Sequence, residues 1–376
     1  LTYPYSADDR YKIELKRLLE KAGVAVTKMI PEPTSAALYA RVINKNVKIN
    51  QPALLVDIGE SRISTAELIY LEKAIDITKY HPVVNIGGKD YDATVSAYLT
   101  AESRKQEEMT SYQKFILNQR IKTAKAALPI FKTVKVDYES DSTVQIPIDL
   151  PRFRELVRPV TAKICESVLK SLKTNAKIKY IILSGGCIQT AFLQQSIWDA
   201  VKAYRNDVAI ITLETGLENT PDIFDIELDG SAFAVAAGAA LYSTGKYKIN
   251  AVCPRSYGIC SLKNYQSDKR EWMVVLIKKN SPLPAKFTQR FQTVAPTAAV
   301  NIHVLSSQME TDTLIGNDTQ SILNGKLVFK QRVEANYPVE ITINVDEDGI
   351  GTATAAADNG RNGKFVSSSF SLDATT

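Results

Sequence analysis

This sequence of 376 residues has few cysteines and histidines and no apolar run long enough to span a membrane. It has 4 cysteines, none in a Cys-x-x-Cys pair, and only 2 histidines, His81 and His303. Because so few ligands and thiols are present, we expect no metal site and no disulfide framework. No apolar stretch reaches about 18 residues, and no signal peptide is evident. The sequence therefore predicts a cytoplasmic protein with no membrane partner.

A dense basic run is also lacking. The formal net charge is +5, and charged residues make up 23% of the chain without forming a Lys/Arg block. This charge is typical of a solvated surface, so we expect no nucleic-acid partner. Hydrophobic residues make up 45%, which is ordinary for a soluble globular protein. The length exceeds what one core usually organises, so two domains are predicted.

The pattern of elements changes near Gly245. Up to that point, runs with strand and helix periodicity alternate, whereas short alternating runs and turn residues follow it up to Thr376. One of these turns, Asp346-Glu347-Asp348-Gly349, is a hairpin signal. The second part is therefore predicted to be a β-sandwich. We place an α/β domain at residues 1–245, a linker at 246–253 and the sandwich at 254–376.

Three local predictions can be checked directly against a structure. Ser6 is predicted to cap a helix that ends at Gly23. A strand is predicted over Val24–Ile30. Gly238, inside an alanine-rich helix at Ser231–Tyr242, indicates that another segment packs tightly against that helix.

Several spaced motifs occur in a fixed order. They are Ile30-Pro31-Glu32-Pro33-Thr34-Ser35-Ala36-Ala37-Leu38, Asp57-Ile58-Gly59, Ile86-Gly87-Gly88-Lys89-Asp90-Tyr91-Asp92, Ile182-Leu183-Ser184-Gly185-Gly186 and Ala236-Ala237-Gly238-Ala239-Ala240. Their order and spacing resemble the ATPase domain of the 70-kDa heat-shock family, which shares its fold with actin and sugar kinases. Pro254-Arg255-Ser256-Tyr257-Gly258-Ile259 resembles the start of that family's peptide-binding sandwich.

The resemblance covers nearly the whole chain and implies its fold class. It implies an α/β actin-like ATPase domain, partial and mainly its second lobe, followed by an all-β sandwich peptide-binding domain. The match begins partway into the family's ATPase domain and stops before the family's helical lid. We therefore expect a divergent and truncated member.

The resemblance also implies a site for ATP or ADP with Mg²⁺. It assigns catalytic roles to Glu32 and Asp57, with Pro4 as the switch proline and Arg10 as the arginine that works with them. The residues that correspond to nucleotide contacts are Gly59, Lys125, Gly185 and Gly186.

The phosphate hairpin departs from the family pattern. The family reads Asp-Leu-Gly-Gly-Gly-Thr-Phe-Asp, whereas Glu60 and Ser61 replace two glycines here and Arg62 replaces the threonine. A carboxylate about 4 Å from a phosphate costs roughly 4 kcal/mol per unit charge. Either Arg62 offsets that repulsion, or Glu60 and Arg62 pair with each other at an empty site. Lys122 also replaces a family glutamate, so whether the chain is an ATPase stays open.

A peptide pocket is the second site that the resemblance implies. An extended peptide is held by backbone hydrogen bonds to a strand edge and by an apolar pocket for a side chain. The positions that correspond to the family's pocket are all apolar, and they are Ile259, Leu262, Phe291, Val294, Val300, Ile302, Val339 and Ile341. These residues would equally form an ordinary sandwich core.

Three functions remain in competition. The first is a chaperone that binds unfolded or extended apolar polypeptides under ATP control, with a J-domain co-chaperone as a possible partner. The second is a non-catalytic pseudo-ATPase that acts as a scaffold or co-chaperone, resembling the family's lidless ribosome-associated members. The third is a sugar or acetate kinase of the same superfamily, against which the sandwich argues. The predicted linker lacks the family's leucines, which indicates weak or altered coupling between the domains.

Overall fold

The computed structural model describes residues 1–44, 47–102, 109–126, 133–137, 143–213, 230–264, 268–316, 318–357 and 363–368. The chain divides into two compact units. The first unit comprises Leu1–Glu32, Lys73–Pro82 and Tyr242–Thr376, and the second comprises Pro33–Glu72 and Val83–Leu241. Each unit is therefore assembled from stretches that are separated in sequence.

Strands and helices alternate over the first two thirds of the chain, as the sequence predicts. In chain order these elements are β1 (Thr2–Tyr3), α1 (Asp9–Lys21), β2 (Ile30–Pro31), α2 (Glu32–Ile43), β3 (Pro52–Ile58), β4 (Ile63–Tyr70), β5 (Ala74–Tyr80), α3 (Gly88–Glu102), α4 (Ser111–Ala126), β6 (Thr133–Asp137), β7 (Thr143–Pro147), α5 (Leu150–Lys173), β8 (Tyr180–Ser184), a 3-10 turn (Gly186–Gln189), α6 (Ala191–Tyr204), β9 (Ala209–Thr212) and α7 (Gly230–Ser243).

Only strands follow among the described residues. They are β10 (Lys248–Asn250), β11 (Ser256–Asn264), β12 (Asp268–Ile277), β13 (Ala285–Gln292), β14 (Thr297–Ser307), β15 (Thr313–Leu314), β16 (Thr319–Val333), β17 (Pro338–Val345), β18 (Gly351–Ala357) and β19 (Gly363–Ser368). The change from mixed to all-β structure confirms the predicted change in pattern near Gly245.

The start of α1 differs from the prediction. Its N-cap is Asp8, whose carboxylate accepts a hydrogen bond of 2.7 Å from the Tyr11 N–H. The predicted cap, Ser6, is wrong because that residue lies in a turn closed by the Ala7 N–H and the Pro4 carbonyl. The predicted end of the helix is confirmed. Gly23 has φ +83°, as the left-handed residue after a helix should.

The predicted strand over Val24–Ile30 is wrong in extent. Only Ile30 and Pro31 pair with another strand, in parallel with Thr2 and Tyr3. Val24 is 51% exposed, and side chains that stay in solvent gain nothing from a pleated surface. Only Met29 and Ile30, at the end of the segment, are buried, so its first residues lack the burial that stabilises a strand.

The second unit is built around β3. Residues 53–56 of this strand are completely buried, because β4 lies antiparallel on one side and β8 lies parallel on the other. Strand β9 continues the sheet in parallel with β8. Since parallel strands end at the same edge of a sheet, the carboxyl ends of β3 and β8 bring the turns after Ile58 and Ser184 together.

Helices α3, α5 and α6 cover this sheet with one apolar core. Its aromatic centre is formed by Tyr91, Phe153 and Phe192, with ring centroids 5.7–6.3 Å apart. The Tyr91 hydroxyl shares a 2.9 Å hydrogen bond with Thr161. The prediction for Gly238 is confirmed, because a β-carbon there would lie 1.7 Å from the Ser35 carbonyl oxygen.

The sandwich in the first unit consists of two sheets. One has the strand order β15-β12-β11-β14-β16-β19, and the other has the order β13-β17-β18. The core between them includes Tyr257, Leu327 and Ile343, all completely buried. The predicted hairpin turn joins β17 to β18, and its Gly349 has φ +71°.

A buried ion pair joins the first 32 residues to this sandwich. Lys12 lies 3.2 Å from Asp9, and both side chains are at most 1% exposed. The Lys12 ammonium also donates to the Gly349 carbonyl. The two Asp9 oxygens accept hydrogen bonds from the Tyr257 hydroxyl at 3.0 Å and from the Gly351 N–H at 2.6 Å. Every charged atom of the pair is therefore satisfied within the first unit.

Two further buried cations lie in the same unit. Arg255 donates to the Ser306 hydroxyl at 2.9 Å and to the Ser6 carbonyl at 3.3 Å. Lys279 donates to the Gln308 side chain at 2.8 Å and lies over the Tyr5 ring. Burial, with the neighbouring Arg255 charge adding to it, lowers the pKa of Lys279 to about 8.

The compact units do not follow the predicted domain boundaries. The first 32 residues and β5 pack with the sandwich, and part of the predicted linker forms β10, which pairs in parallel with β5. The boundaries at 245 and 253 remain predictions.

Two absences concern the described residues alone. None of their helices combines the length and the apolar character that crossing a membrane requires. They also contain no cluster of three or more side chains of the types that bind metal ions.

Candidate functional site

The turn between β3 and β4 is the predicted phosphate hairpin. Its Gly59 N–H donates to the Arg62 carbonyl at 3.0 Å and closes the turn. The carbonyls of Gly59 and Glu60 accept hydrogen bonds from the Gly88 and Lys89 N–H groups, at 3.1 and 2.7 Å. The hairpin is therefore fastened to the N-terminus of α3, and the Gly59 N–H is already used inside the turn.

The two glycines after β8 have different environments. Gly185 has φ +96°, and a β-carbon there would lie 2.4 Å from the Ile58 carbonyl oxygen and 2.8 Å from the Asp57 carboxylate. Close packing against the end of β3 therefore accounts for Gly185 without a ligand. A β-carbon on Gly186 would have no neighbour within 4 Å, so packing does not explain that glycine.

The hairpin carboxylate is held by a lysine on α4. Glu60 lies 2.6 Å from Lys122, with 64% and 44% of the two side chains exposed. The hydrogen bond to Lys122, and then its charge, lower the pKa of Glu60. The predicted pairing of Glu60 with Arg62 is wrong, because the partner comes from another element. Two substitutions relative to the family, at Glu60 and Lys122, thus compensate each other.

The predicted nucleotide lysine is also engaged. Lys125 forms an ion pair with Asp92, which is buried, and donates to the Gly88 carbonyl at 3.3 Å. The predicted residues Asp57, Gly59, Lys125, Gly185 and Gly186 all belong to the second unit, and Gly185 packs directly against Asp57.

The two predicted catalytic carboxylates lie on different elements. Asp57 lies in β3 opposite Ser64 of β4 and Ser184 of β8. Glu32 is the first residue of α2 and the last residue of the first stretch of the first unit. Pro4 and Arg10 belong to that same stretch, and Arg10 is exposed on α1. The catalytic roles of these residues remain predictions.

The residues expected to contact a nucleotide are engaged within the chain itself. Lys125 is paired with Asp92, and the Glu60 carboxylate of the predicted phosphate hairpin is paired with Lys122. A nucleotide would therefore compete with Asp92 for Lys125.

The predicted peptide-pocket residues mostly lie inside the sandwich. Six of the eight belong to its core or pack against it, Leu262 is half-buried and Val294 is 52% exposed. The six are Ile259, Ile302, Val339, Ile341, Phe291 and Val300. Of these six, Ile302 also lines a cavity, and the role of all six in peptide binding stays a prediction.

A cleft opens where β11 and β14 separate. These strands pair antiparallel only from Ser256–Ser307 to Ile259–Val304. Beyond that point a cavity of about 760 Å³ lies between them, within the range of ligand pockets. Its lining residues are Cys260, Ser261, Leu262, Glu271, Asn301, Ile302, His303, Asn324, Gly325 and Lys326.

Sequence reasoning missed most of this lining. Only Leu262 and Ile302 belong to the predicted pocket, while polar residues on β11, β12, β14 and β16 make up most of the rest. The alternation of the strands was the available signal, because residues next to Ile259 and Ile302 must face away from the core.

Comparison with known proteins identifies the family. The model of the Hsp70 protein family matches residues 4–369, and the chain belongs to that family. Chaperone protein DnaK of Thermus thermophilus is 25% identical over 353 residues, covering 89% of this chain and 53% of the relative. Chaperone protein HscA of Buchnera aphidicola subsp. Baizongia pistaciae is 25% identical over 382 residues, covering 94% and 65%.

A third relative has a similar identity and coverage. Chaperone protein dnaK of Cyanidium caldarium is 24% identical over 386 residues, covering 94% of this chain and 56% of the relative. The chain therefore spans roughly half to two thirds of the length of the curated relatives it matches.

Proposed function

We propose that the first unit holds an extended peptide segment in the cleft between β11 and β14. The observation that carries this proposal is the separation of the two strands after Ile259 and Val304. Each strand remains paired on its far side, β11 with β12 and β14 with β16. The near edges of residues 260–262 and 301–303 are not paired with each other. An added strand would bond to both edges.

Family membership supports a proposed chaperone role for the whole protein. The relatives are named as chaperones, and a strand-edge site recognises backbone rather than a particular sequence. We therefore propose unfolded or extended polypeptides as clients. A J-domain co-chaperone and a cytoplasmic location are further expectations from the resemblance.

A second candidate function is a scaffold or co-chaperone that works without hydrolysing ATP. The Lys125–Asp92 and Glu60–Lys122 pairs favour it, because they engage the expected nucleotide lysine and the carboxylate of the predicted phosphate hairpin within the chain. Regulation by ATP with Mg²⁺ would require a nucleotide to compete with Asp92 for Lys125.

The test measures binding and dissociation of a fluorescent heptapeptide with and without ATP and Mg²⁺. Each of three central peptide positions is N-methylated in turn. Because a strand bonded on both sides uses every N–H, we expect each methylation to weaken binding, with about 0.5–1.5 kcal/mol lost per hydrogen bond. Sensitivity at alternate positions only would indicate pairing with one edge. Uniform insensitivity would contradict strand addition.

A matched pair of variants locates the peptide. Leu262→Asp places a charge in the cleft and should weaken binding. Val328→Asp, on β16 outside the lining, has a 42% exposed side chain and should leave binding unchanged. Faster peptide release with ATP would support the ATP-regulated chaperone. Unchanged release would support the scaffold.

A further inference from the structure

Four neighbouring strands each place one side chain in a single row across the cleft. The paired ends of β11 and β14 have a constant antiparallel register, in which Ile259 faces Val304. Continuing that register puts Leu262 opposite Asn301. Leu262 is also the partner of Glu271 on β12, and Asn301 is the partner of Lys326 on β16.

Glu271 and Lys326 consequently lie on opposite walls of the cleft in one row. All four residues of the row line the cavity. A second row, two residues along, contains Cys260, His303 and Asn324, which line it too. Because side chains two residues apart in a strand point to the same face, both rows face the same side of the sheet.

The two charges of the first row are available to a ligand. Glu271 and Lys326 are both exposed, and neither forms a salt bridge within the described part of the chain. An acidic wall and a basic wall therefore flank the space between β11 and β14.

A peptide strand in that space would lie two strand spacings, about 10 Å, from the backbone of each charged residue. Long side chains that lean towards each other span this distance. Its inward-facing side chains would instead meet Ile259 and Ile302, which are at most 3% exposed in a filled core. Small inward-facing residues are therefore favoured.

We propose that the cleft selects extended segments in which a charged residue faces Glu271 and Lys326 and small residues face the core. A basic side chain would pair with Glu271, and an acidic side chain would pair with Lys326. This inference rests on the proposed peptide-binding function and specifies its substrate class. It differs from the purely apolar segments that the sequence predicts.

The test uses four fluorescent heptapeptides of alternating alanine and threonine whose central residue is arginine, glutamate, glutamine or leucine. Fluorescence anisotropy gives the Kd of each for the protein as it stands and for two variants. Glu271→Gln should weaken binding of the arginine peptide alone, and Lys326→Gln should weaken binding of the glutamate peptide alone. Each effect should be about two- to fivefold, as for exposed ion pairs, and should shrink with added salt.

Controls of the same chemistry are Glu334→Gln and Lys330→Gln. Both residues are exposed near or on β16 and do not line the cleft. Neither substitution should change any Kd by more than the error of the measurement.

The outcomes of this experiment distinguish failure of the charge selection from failure of the proposed peptide binding. If all four peptides bind equally well, or if the leucine peptide binds tightest, the charge selection is overturned and peptide binding stands. If a Glu271→Gln loss extends equally to every peptide, a general change in the cleft accounts for it and the pairing is overturned. If no peptide binds at any concentration tested, the proposed function falls and this inference falls with it.

Discussion

Lys279 carries its ammonium group into the interior of the first unit. Only 5% of the residue is exposed. Burial disfavours the charged form, which lowers the pKa from 10.5 to about 8. In an unfolded chain the same lysine keeps its proton to about pH 10.4. Between these values the unfolded state binds more protons, so this residue makes stability rise with pH.

The first prediction concerns the pH dependence of stability. From pH 8 to 10.5, the native chain should gain stability relative to Lys279→Met by up to about 1.4 kcal/mol per pH unit. The sequence has 2 tryptophans, and Trp272 lies in the first unit. In a Trp198→Phe background, urea unfolding followed by fluorescence reports that unit.

The comparison with Lys279→Met isolates this lysine, because the buried thiols titrate in both proteins. Lys278→Met, at the exposed neighbouring residue, serves as the control and should show no such divergence. A difference between the native chain and Lys279→Met that stays constant with pH would contradict the lowered pKa.

Single residues were predictable where backbone geometry or local chemistry decides their role. Gly23, Gly238 and Gly349 all occupy the positions that the sequence predicted. The partner of Glu60 was not predictable, because Lys122 lies 62 residues away. Sequence offers only the neighbour Arg62 as a candidate, and pairing across elements depends on tertiary structure.

Helix α5 is the longest helix of the described residues, and its start is well defined. Asp149 is its N-cap, and the carboxylate accepts a 2.8 Å hydrogen bond from the Arg152 N–H. Pro151 stands in the first turn, where it has no N–H to leave unsatisfied. The buried residues of α5, among them Phe153 and Val157, form much of the second unit's core.

The second prediction follows from that cap. Asp149→Ala should lower the free energy of unfolding of the second unit by about 1 kcal/mol, while Asp149→Asn should lose much less, because asparagine also caps. Trp198 lies in this unit, so unfolding is followed in a Trp272→Phe background. Equal losses for the two substitutions would argue against a capping role.

Elements were predicted best where burial reinforces the local pattern. The completely buried residues of β3 illustrate this, and the exposed start of the predicted strand, at Val24, illustrates the failure. The cleft was only partly predictable. Alternation indicates which residues of β11 and β14 face away from the core, but it does not indicate the point at which the two strands separate.

The first unit as a whole depends on contacts between the two ends of the chain. The Lys12–Asp9 pair is completely buried and reaches Gly349 and Gly351 across more than 300 residues. Removing one partner of such a pair leaves an uncompensated buried charge. No sequence pattern links these positions, which is why the predicted boundaries separate them.

The third prediction tests this dependence. Lys12→Met should lower the free energy of unfolding of the first unit by about 3–5 kcal/mol, again followed by Trp272 in the Trp198→Phe background. Lys21→Met, on the exposed end of the same helix, should change it by no more than about 0.5 kcal/mol. A loss at Lys12 as small as that at Lys21 would show that the pair contributes little.

The hydrogen bond between Asp9 and the Gly351 N–H joins residues 342 positions apart. On a ribosome adding about 5–20 residues per second, the acceptor would wait roughly 20–70 s for its donor to be made. Until then Lys12 and Asp9 have no sandwich to enclose them. Helix α1 thus has no sandwich to pack against until Gly351 has been made, so a protein proposed to hold unfolded segments itself carries one during that interval.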